Sequence, residues 1–264
     1  NYIDELYIQI MGLNFKKYGE GETVLVILHG LFGSLDNWQS LGKQFGEHFT
    51  TYVLDQRNHG KSPHFDKHNY KAMAADLFQF LESENIEEAH LLGHSMGGKT
   101  VMQFSIENPQ FIKKMVVADI APKYYAPHHQ NIIVALESVN FEFITDRKDV
   151  QAKIEESIQD PGIVQFLMKG ITRKNKKTLG WKFNLKVLSA QIENIGEALE
   201  GFAYFTNPTL FVRGENSNYI TEDDIDVIED IFPMAQYTTI DDAGHWLHAE
   251  NPVQFFDEVM NFLK

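Results

Sequence analysis

Gly93-His94-Ser95-Met96-Gly97 is the stretch that decides the fold. It has the form G-x-S-x-G. The apolar run from Ala89 to Leu92 before it reads as a buried strand, and Gly98-Lys99-Thr100-Val101-Met102-Gln103-Phe104 after it reads as a helix. A serine on a sharp strand-to-helix turn has its hydroxyl pushed out of the sheet, and the two glycines permit the tight turn and the close helix approach. The same turn aims the backbone N–H of Met96 at the spot where an oxyanion would form. The pentad alone is a weak signal. With Gly and Ser each near ~7% of residues, on the order of one chain in ten of this length matches by chance. The order of strand, pentad and helix supplies what the pentad lacks, and it marks Ser95 as a candidate nucleophile.

The surrounding chain alternates strand and helix signals. Leu6 to Ile10 and Leu13 to Tyr18 read as an opening antiparallel pair around Met11-Gly12. Val24-Leu25-Val26-Ile27-Leu28 is a continuous apolar run, typical of a strand buried on both faces, and Thr51-Tyr52-Val53-Leu54 is another. A helix fits Asn37 to Phe45. Tyr70 to Glu82 carries Met73, Leu77, Phe80 and Leu81 on one helical face. After the nucleophile helix, which runs to Asn108-Pro109, comes the strand Met115 to Ala118.

This alternation predicts an α/β fold, a mostly parallel central sheet with helices on both faces. It breaks after Pro122. From 122 to about 205 only helix-like segments are expected, such as His128 to Val139 and Arg147 to Ile158, with the basic run Arg173 to Lys177 as a solvated turn. A helical block between two strands reads as an inserted cap over residues 122–205, with 1–121 and 206–264 forming the core. The sheet resumes at Thr209 to Arg213, followed by a helix over Thr221 to Ile231. The last strand, Gln236 to Ile240, precedes a closing helix, Pro252 to Leu263.

Three further loops carry chemistry. His29-Gly30-Leu31-Phe32-Gly33 follows the strand at 24–28, where the backbone N–H of Leu31 can join that of Met96 as an oxyanion donor pair. Loss of one such donor typically costs ~3 kcal/mol of barrier. The base must be a histidine after Ser95. His128 or His129, His245 and His248 are the candidates. His245, in Asp242-Ala243-Gly244-His245-Trp246 just past the final strand, returns to the edge where the nucleophile turn lies and is the choice. His248 is expected to cap or pack in the following helix; His128-His129, in the cap, could touch substrate, but a surface role is the expectation. The acid has two locations. The loop after the penultimate strand reads Gly214-Glu215-Asn216-Ser217, with Ser217 where Asp is usual. Asp119, at the end of the strand after the nucleophile helix, is therefore the leading acid, with Glu215 as fallback. Asp241 and Asp242 are read as loop residues, and Asp55-Gln56-Arg57-Asn58-His59-Gly60-Lys61-Ser62 as a structural loop beside the site.

Composition narrows the class. Of 264 residues, 43% are hydrophobic and 23% charged, as in an ordinary globular protein able to bury a large core. There is no cysteine, so disulfides, thiolate metal sites and a cysteine nucleophile are excluded. The formal charge of -14 argues against nucleic acid or an anionic membrane surface as partner. No apolar run approaches the ~18 residues of a membrane span. Asn1 to Met11 mixes charge with alternating apolar residues and does not have the pattern of a signal peptide, so a cytoplasmic location is expected.

Taken together, these motifs make the chain resemble an α/β-hydrolase over essentially its full length. More narrowly, it is similar to the YbfF-type bacterial esterases. The residues that carry this are His29 to Trp38, Arg57-Asn58-His59-Gly60, Gly93 to Lys99, Asp119-Ile120-Ala121-Pro122, Gly214 to Ser217 and Gly244-His245-Trp246. The resemblance implies a serine esterase acting on small to medium acyl esters, with acyl-CoA thioesters as further substrates, and a helical cap. It also implies an acid at Asp119 with a supporting serine at Ser217.

The expected chemistry is cofactor-free ester hydrolysis by Ser95, His245 and Asp119, with a small-molecule ester as partner. A C–C or lyase-type reaction of the menaquinone-biosynthesis kind is the rival within enzymes, but that relative normally keeps Asp where this chain has Ser217. A ligand receptor on a hydrolase scaffold is the rival outside them. A dehalogenase or epoxide hydrolase would carry Asp at position 95. No H-E-x-x-H spacing and no cysteine pair occurs. Ester hydrolysis should therefore persist in excess chelator; loss of activity that zinc or manganese restores would overturn this.

Overall fold

A computed structural model of the protein describes residues 12–127, 129–175, 177–199 and 204–264. Among the described residues, seven strands form one sheet: β1 (Phe15–Tyr18), β2 (Val24–Leu28), β3 (Thr50–Leu54), β4 (Ala89–His94), β5 (Ile112–Ala118), β8 (Thr209–Gly214) and β9 (Ala235–Ile240). Their spatial order is β1-β3-β2-β4-β5-β8-β9. Only the β1–β3 pair is antiparallel. β1 pairs with β3, and the first strand of the opening pair expected from sequence, Leu6 to Ile10, lies outside the described residues.

Side-chain alternation along the strands builds two cores. Val26 and Leu28 of β2, Leu91 of β4 and Met115 and Val117 of β5 face helices α2 (Tyr70–Ser83) and α3 (Met96–Glu107). Leu25, Ile27, Leu92, Val116 and Ala118 face the opposite way. There they meet Leu41 and Phe45 of α1 (Gln39–Phe45) and Phe255 and Val259 of the closing helix, α11 (Pro252–Leu263). Near-continuous apolar strands are what burial on both faces demands.

Between β5 and β8 lie α4 (Gln130–Glu137), α5 (Arg147–Glu155), α6 (Pro161–Lys169), α7 (Leu185–Ala190) and α8 (Ile192–Gly196). This stretch is not purely helical, which corrects the expectation. Strands β6 (Ile171–Arg173) and β7 (Leu179–Trp181) form a two-stranded antiparallel hairpin; of the basic run, Arg173 ends β6 and Lys174, Asn175 and Lys177 lie between the two strands. Such short strands carry too few residues for an alternation to show. The helix expected over Thr221 to Ile231 opens as a 3-10 turn, Glu222–Asp224, before α9 (Ile225–Ile231). Asp224 accepts the backbone N–H of Thr221, closing that turn. A one-turn helix, α10 (Leu247–Glu250), follows β9.

Polar side chains tie the inserted block to the sheet. The Lys99 ammonium, wholly buried on α3, donates to the carbonyls of Lys123 at 2.8 Å, Gly196 at 3.3 Å and Glu197. Burial pushes its pKa down to about 7. The Tyr70 hydroxyl donates to the Ile195 carbonyl at 2.7 Å, and the Asn184 N–H to the Asn58 carbonyl at 2.8 Å.

The loop after β3 is held by a buried ion pair. Arg57 Nε and a terminal nitrogen donate to the two carboxylate oxygens of Asp76 on α2 at 2.6 and 2.7 Å, and the other terminal nitrogen donates to the Lys67 carbonyl at 2.9 Å. Removing one partner strands the other charge in the interior. Asp76→Asn should cost about 3–5 kcal/mol of unfolding free energy. Urea titration at neutral pH checks this, and a loss below about 1 kcal/mol, the worth of an exposed pair, would show that Arg57 does not depend on the carboxylate.

Candidate active site

Strand register assembles the site from four loops at the carboxyl edge of the sheet. Leu28 of β2 pairs with Gly93 of β4, so His29-Gly30-Leu31 leaves the sheet beside Ser95. His94 pairs with Ala118 of β5, which puts Asp119 next to the same serine. Ala118 in turn pairs with Val212 of β8, and Gly214 pairs with Ile240 of β9, from which the chain runs to His245. The edge lies where successive connections run to opposite sides of β2, the usual site of ligand crevices in open α/β sheets.

The serine sits on a strained turn. Ser95 has φ 54° and ψ -117°, a region that costs a non-glycine residue about 1–3 kcal/mol. Close packing around the turn holds it there. A Cβ on Gly93 would lie 2.2 Å from the Gly97 carbonyl oxygen, and one on Gly97 would lie 2.5 Å from that of Leu28. Neither position tolerates a side chain.

Ser95, His245 and Asp119 form one hydrogen-bonded run. Ser95 Oγ lies 2.9 Å from His245 Nε2, and His245 Nδ1 lies 2.7 Å from Asp119 Oδ2. The Asp119 carboxylate is fully buried. It accepts the Ser217 hydroxyl on Oδ2 at 2.5 Å and the Gly214 N–H on Oδ1 at 3.2 Å. Burial raises its pKa to about 6, against the pull of those two donors. Glu215, the fallback acid, points elsewhere and accepts the Asp242 N–H at 2.9 Å. Asp241 and Asp242 are exposed loop residues.

The two expected backbone donors are differently prepared from their neighbours. Phe32 N–H is committed to His59 Nε2 at 3.2 Å, whereas Leu31 N–H has no hydrogen-bond partner among the described residues. Met96 opens α3, and the first N–H groups of a helix lack acceptors one turn earlier. The loop bearing Leu31 is braced from Asp55-Gln56-Arg57-Asn58-His59. His29 Nε2 accepts the Gln56 N–H at 3.0 Å, and His59 Nδ1 donates to the Arg57 carbonyl at 2.9 Å. Burial lowers the pKa of both rings, so both are neutral acceptors at Nε2.

Other contacts at the site carry no sequence motif of their own. Tyr219 stacks on the His245 ring, 3.8 Å between centroids and 15° from parallel. Its loop is pinned twice: the Tyr219 N–H donates to Ser217 Oγ at 3.2 Å, and the Tyr125 hydroxyl donates to its carbonyl. His94 Nε2 donates to the His245 carbonyl at 2.7 Å, and burial takes the pKa of this ring down to about 3. His248 is buried and stacks on Trp38 at 4.2 Å, so it packs in the core rather than serving the serine. His129 departs from the expected surface role and lines the cavity at Ser95; His128 lies outside the described residues. That cavity, about 450 Å³, is walled by Leu31, Phe32, Ile158, Phe166 and Trp246. Among the described residues no cluster of His, Asp or Glu could hold a metal ion, and no helix is long and apolar enough to cross a membrane.

Known proteins share this arrangement. A family profile described as alpha/beta hydrolase fold matches residues 23–143. Esterase YbfF of Escherichia coli is 36% identical over 240 residues, covering 90% of this chain and 92% of its own. The sn-1-specific diacylglycerol lipase ABHD11 of Xenopus laevis is 36% identical over 267 residues, 97% of this chain and 85% of its own. A solved structure titled "Marine microorganism esterase" superposes with a TM-score of 0.93 at 42% identity, covering 96% of this chain and 99% of that one. The chain belongs to the α/β-hydrolase family. Within it, the chain falls among the YbfF-type serine esterases, as its motifs indicate.

The hydrogen bonds to Asp119 fix a pH dependence. A carboxyl with pKa raised to about 6 loses its charge as the pH falls through that value. Ester hydrolysis should fall on the acid side with an apparent pKa that belongs to the Asp119–His245 pair. Ser217→Ala removes a donor that favours the carboxylate, so the acid limb should move to higher pH. The loss at the optimum should be about 10- to 100-fold, as for one hydrogen bond to a charged group. A pH–rate profile of the variant that superposes on the wild type would refute the link.

Proposed function

We propose that the protein hydrolyses carboxylic esters of small to medium acyl groups through an acyl-enzyme on Ser95. The observation that carries this is the unbroken hydrogen-bonded run from Ser95 Oγ through both ring nitrogens of His245 to the buried Asp119. The names of the relatives, esterase and lipase, support an ester as substrate. Residues 122–205 act as a cap on a core of 1–121 and 206–264.

In this mechanism His245 Nε2 takes the Ser95 proton as Oγ attacks the acyl carbon. The new negative oxygen is held by the N–H groups of Leu31 and Met96, donors fixed before charge develops. His245 then passes its proton to the leaving oxygen, and the C–O bond breaks. Water repeats the sequence and frees Ser95. Asp119 keeps the Nδ1–H tautomer and stabilises the imidazolium. Ser217 supports the carboxylate, and the Tyr219 ring fixes the plane of the imidazole. The bracing of Phe32 by His59 leaves Leu31 as the donor on that loop.

Ser95→Ala should abolish turnover of a short-chain nitrophenyl ester in a folded protein, and a fluorophosphonate should label Ser95 alone. Near-wild-type hydrolysis by the alanine variant, or labelling of another serine, would sink the assignment. Asp119→Asn should lower kcat by a factor near ~10⁴, because an amide can favour the wrong imidazole tautomer. If Asp119→Asn were nearly neutral and Glu215→Gln severe, the acid would be Glu215.

A further inference from the structure

Two recesses of very different size meet at Ser95. One is the cavity of about 450 Å³ described above. The other is a recess of about 20 Å³, enough for little more than one water-sized group. Its walls are Tyr70, Met96, Ile120, Ile192 and Ile195, all buried side chains, with Tyr125 beside them. The two share Ser95, His129 and Tyr219. Only the large cavity is walled by His245 and Trp246.

That asymmetry bears on orientation, given Ser95 as nucleophile and His245 as base. The oxygen that leaves must receive its proton from His245 Nε2, so the alcohol part of an ester lies on the His245 side. The acyl substituent, pointing away from the leaving oxygen, faces the side walled by Met96. The large cavity then receives the alcohol, and the small recess receives the acyl tail. A methyl group is about the size of a water molecule, so the recess admits an acetyl methyl and resists longer chains.

The walls of the large cavity describe the alcohol. Leu31, Phe32, Ile132, Ile163, Phe166 and Trp246 offer apolar and aromatic surface. Asn131, Ser157, Gln159 and Asp160 add polar groups. None of the described residues lining it is Lys or Arg, so nothing there compensates a phosphate or carboxylate on the leaving group. We propose that the enzyme removes short acyl groups, acetyl foremost, from bulky uncharged alcohols. This narrows the reading above and rests on it.

Two ester series test the proposal. With nitrophenol as the constant leaving group and acyl chains from acetyl to octanoyl, kcat/KM should fall at least tenfold between acetyl and hexanoyl. With acetyl constant and the alcohol growing from ethanol to 2-naphthylethanol, it should rise. Acetyl-CoA, with a polyanionic leaving group, should be cleaved poorly. Ile195→Ala, and separately Ile192→Ala, should enlarge the recess and raise the hexanoyl-to-acetyl ratio about tenfold, a ratio that does not depend on the fraction of folded enzyme. Equal rates on acetyl and octanoyl esters, or an acyl-length preference that Phe166→Ala shifts and the isoleucine variants do not, would overturn the proposal while leaving the esterase reading intact. Absence of any Ser95-dependent hydrolysis across both series would overturn both.

Discussion

Contact between β4 and α3 is the constraint on which the site depends. The strand delivers Ser95 and the helix begins at the next residue, so backbone must pass within reach of backbone. The Gly97 carbonyl lies where a Cβ of Gly93 would be, and the carbonyls of Leu28 and His29 lie where a Cβ of Gly97 would be. The second of these contacts involves β2, the neighbouring strand. A side chain at Gly97 would therefore displace both the nucleophile turn and the start of the loop that carries Leu31. The glycines set the spacing between two functional loops as well as the angle of one. Dense packing leaves no slack to absorb an error of even a methyl group.

Neutral histidines brace this edge. His29 and His59 each use Nδ1–H on a carbonyl and offer Nε2 to a backbone N–H, while His94 uses Nε2–H on the His245 carbonyl. A neutral imidazole suits such positions because it donates and accepts at once. Burial lowers the pKa of all three, which keeps them in that form across the working range of pH. His245 differs from them in its company: it alone pairs a ring N–H with a buried carboxylate and presents its other nitrogen to a hydroxyl.

Most of the sheet was legible because its strands are buried on both faces and read as unbroken apolar runs. The pentad, the His-Gly loop and Asp119 were legible for a different reason: each sits directly after such a run, so finding the strand locates the residue; His245, in the loop past the edge strand β9, was legible from its place after Ser95 in chain order. What escaped lacks that anchor. The β6–β7 hairpin has three-residue strands around a basic turn, too short for any periodicity. His129 reads as a surface residue, and it lines the cavity only because Lys99 of α3 holds the carbonyls of Lys123 and of Gly196 in α8. Tyr219 lies in an irregular loop, and its stacking on His245 follows from two hydrogen bonds that no spacing rule encodes. Pocket shape belongs to this second category, since it depends on how helices meet.

The placement of the acid shows how register substitutes for motif. Ser95 and Asp119 each follow one of two paired strand residues, His94 and Ala118, and both have φ near +54°. Each turns sharply at the same height on the sheet, and the Ser95 N–H donates to the Ala118 carbonyl at 2.9 Å. The carboxylate that faces His245 thus comes from the end of the strand beside β4 rather than from the loop after β8. That loop is left free to supply donors instead, through the Gly214 N–H and the Ser217 hydroxyl. A carboxylate at 217 facing Asp119 would set two like charges against each other, and the two could not both stay ionised. Serine at this position is therefore the complement of aspartate at 119: its hydroxyl and the His245 Nδ1–H both donate to the one carboxylate oxygen, Asp119 Oδ2.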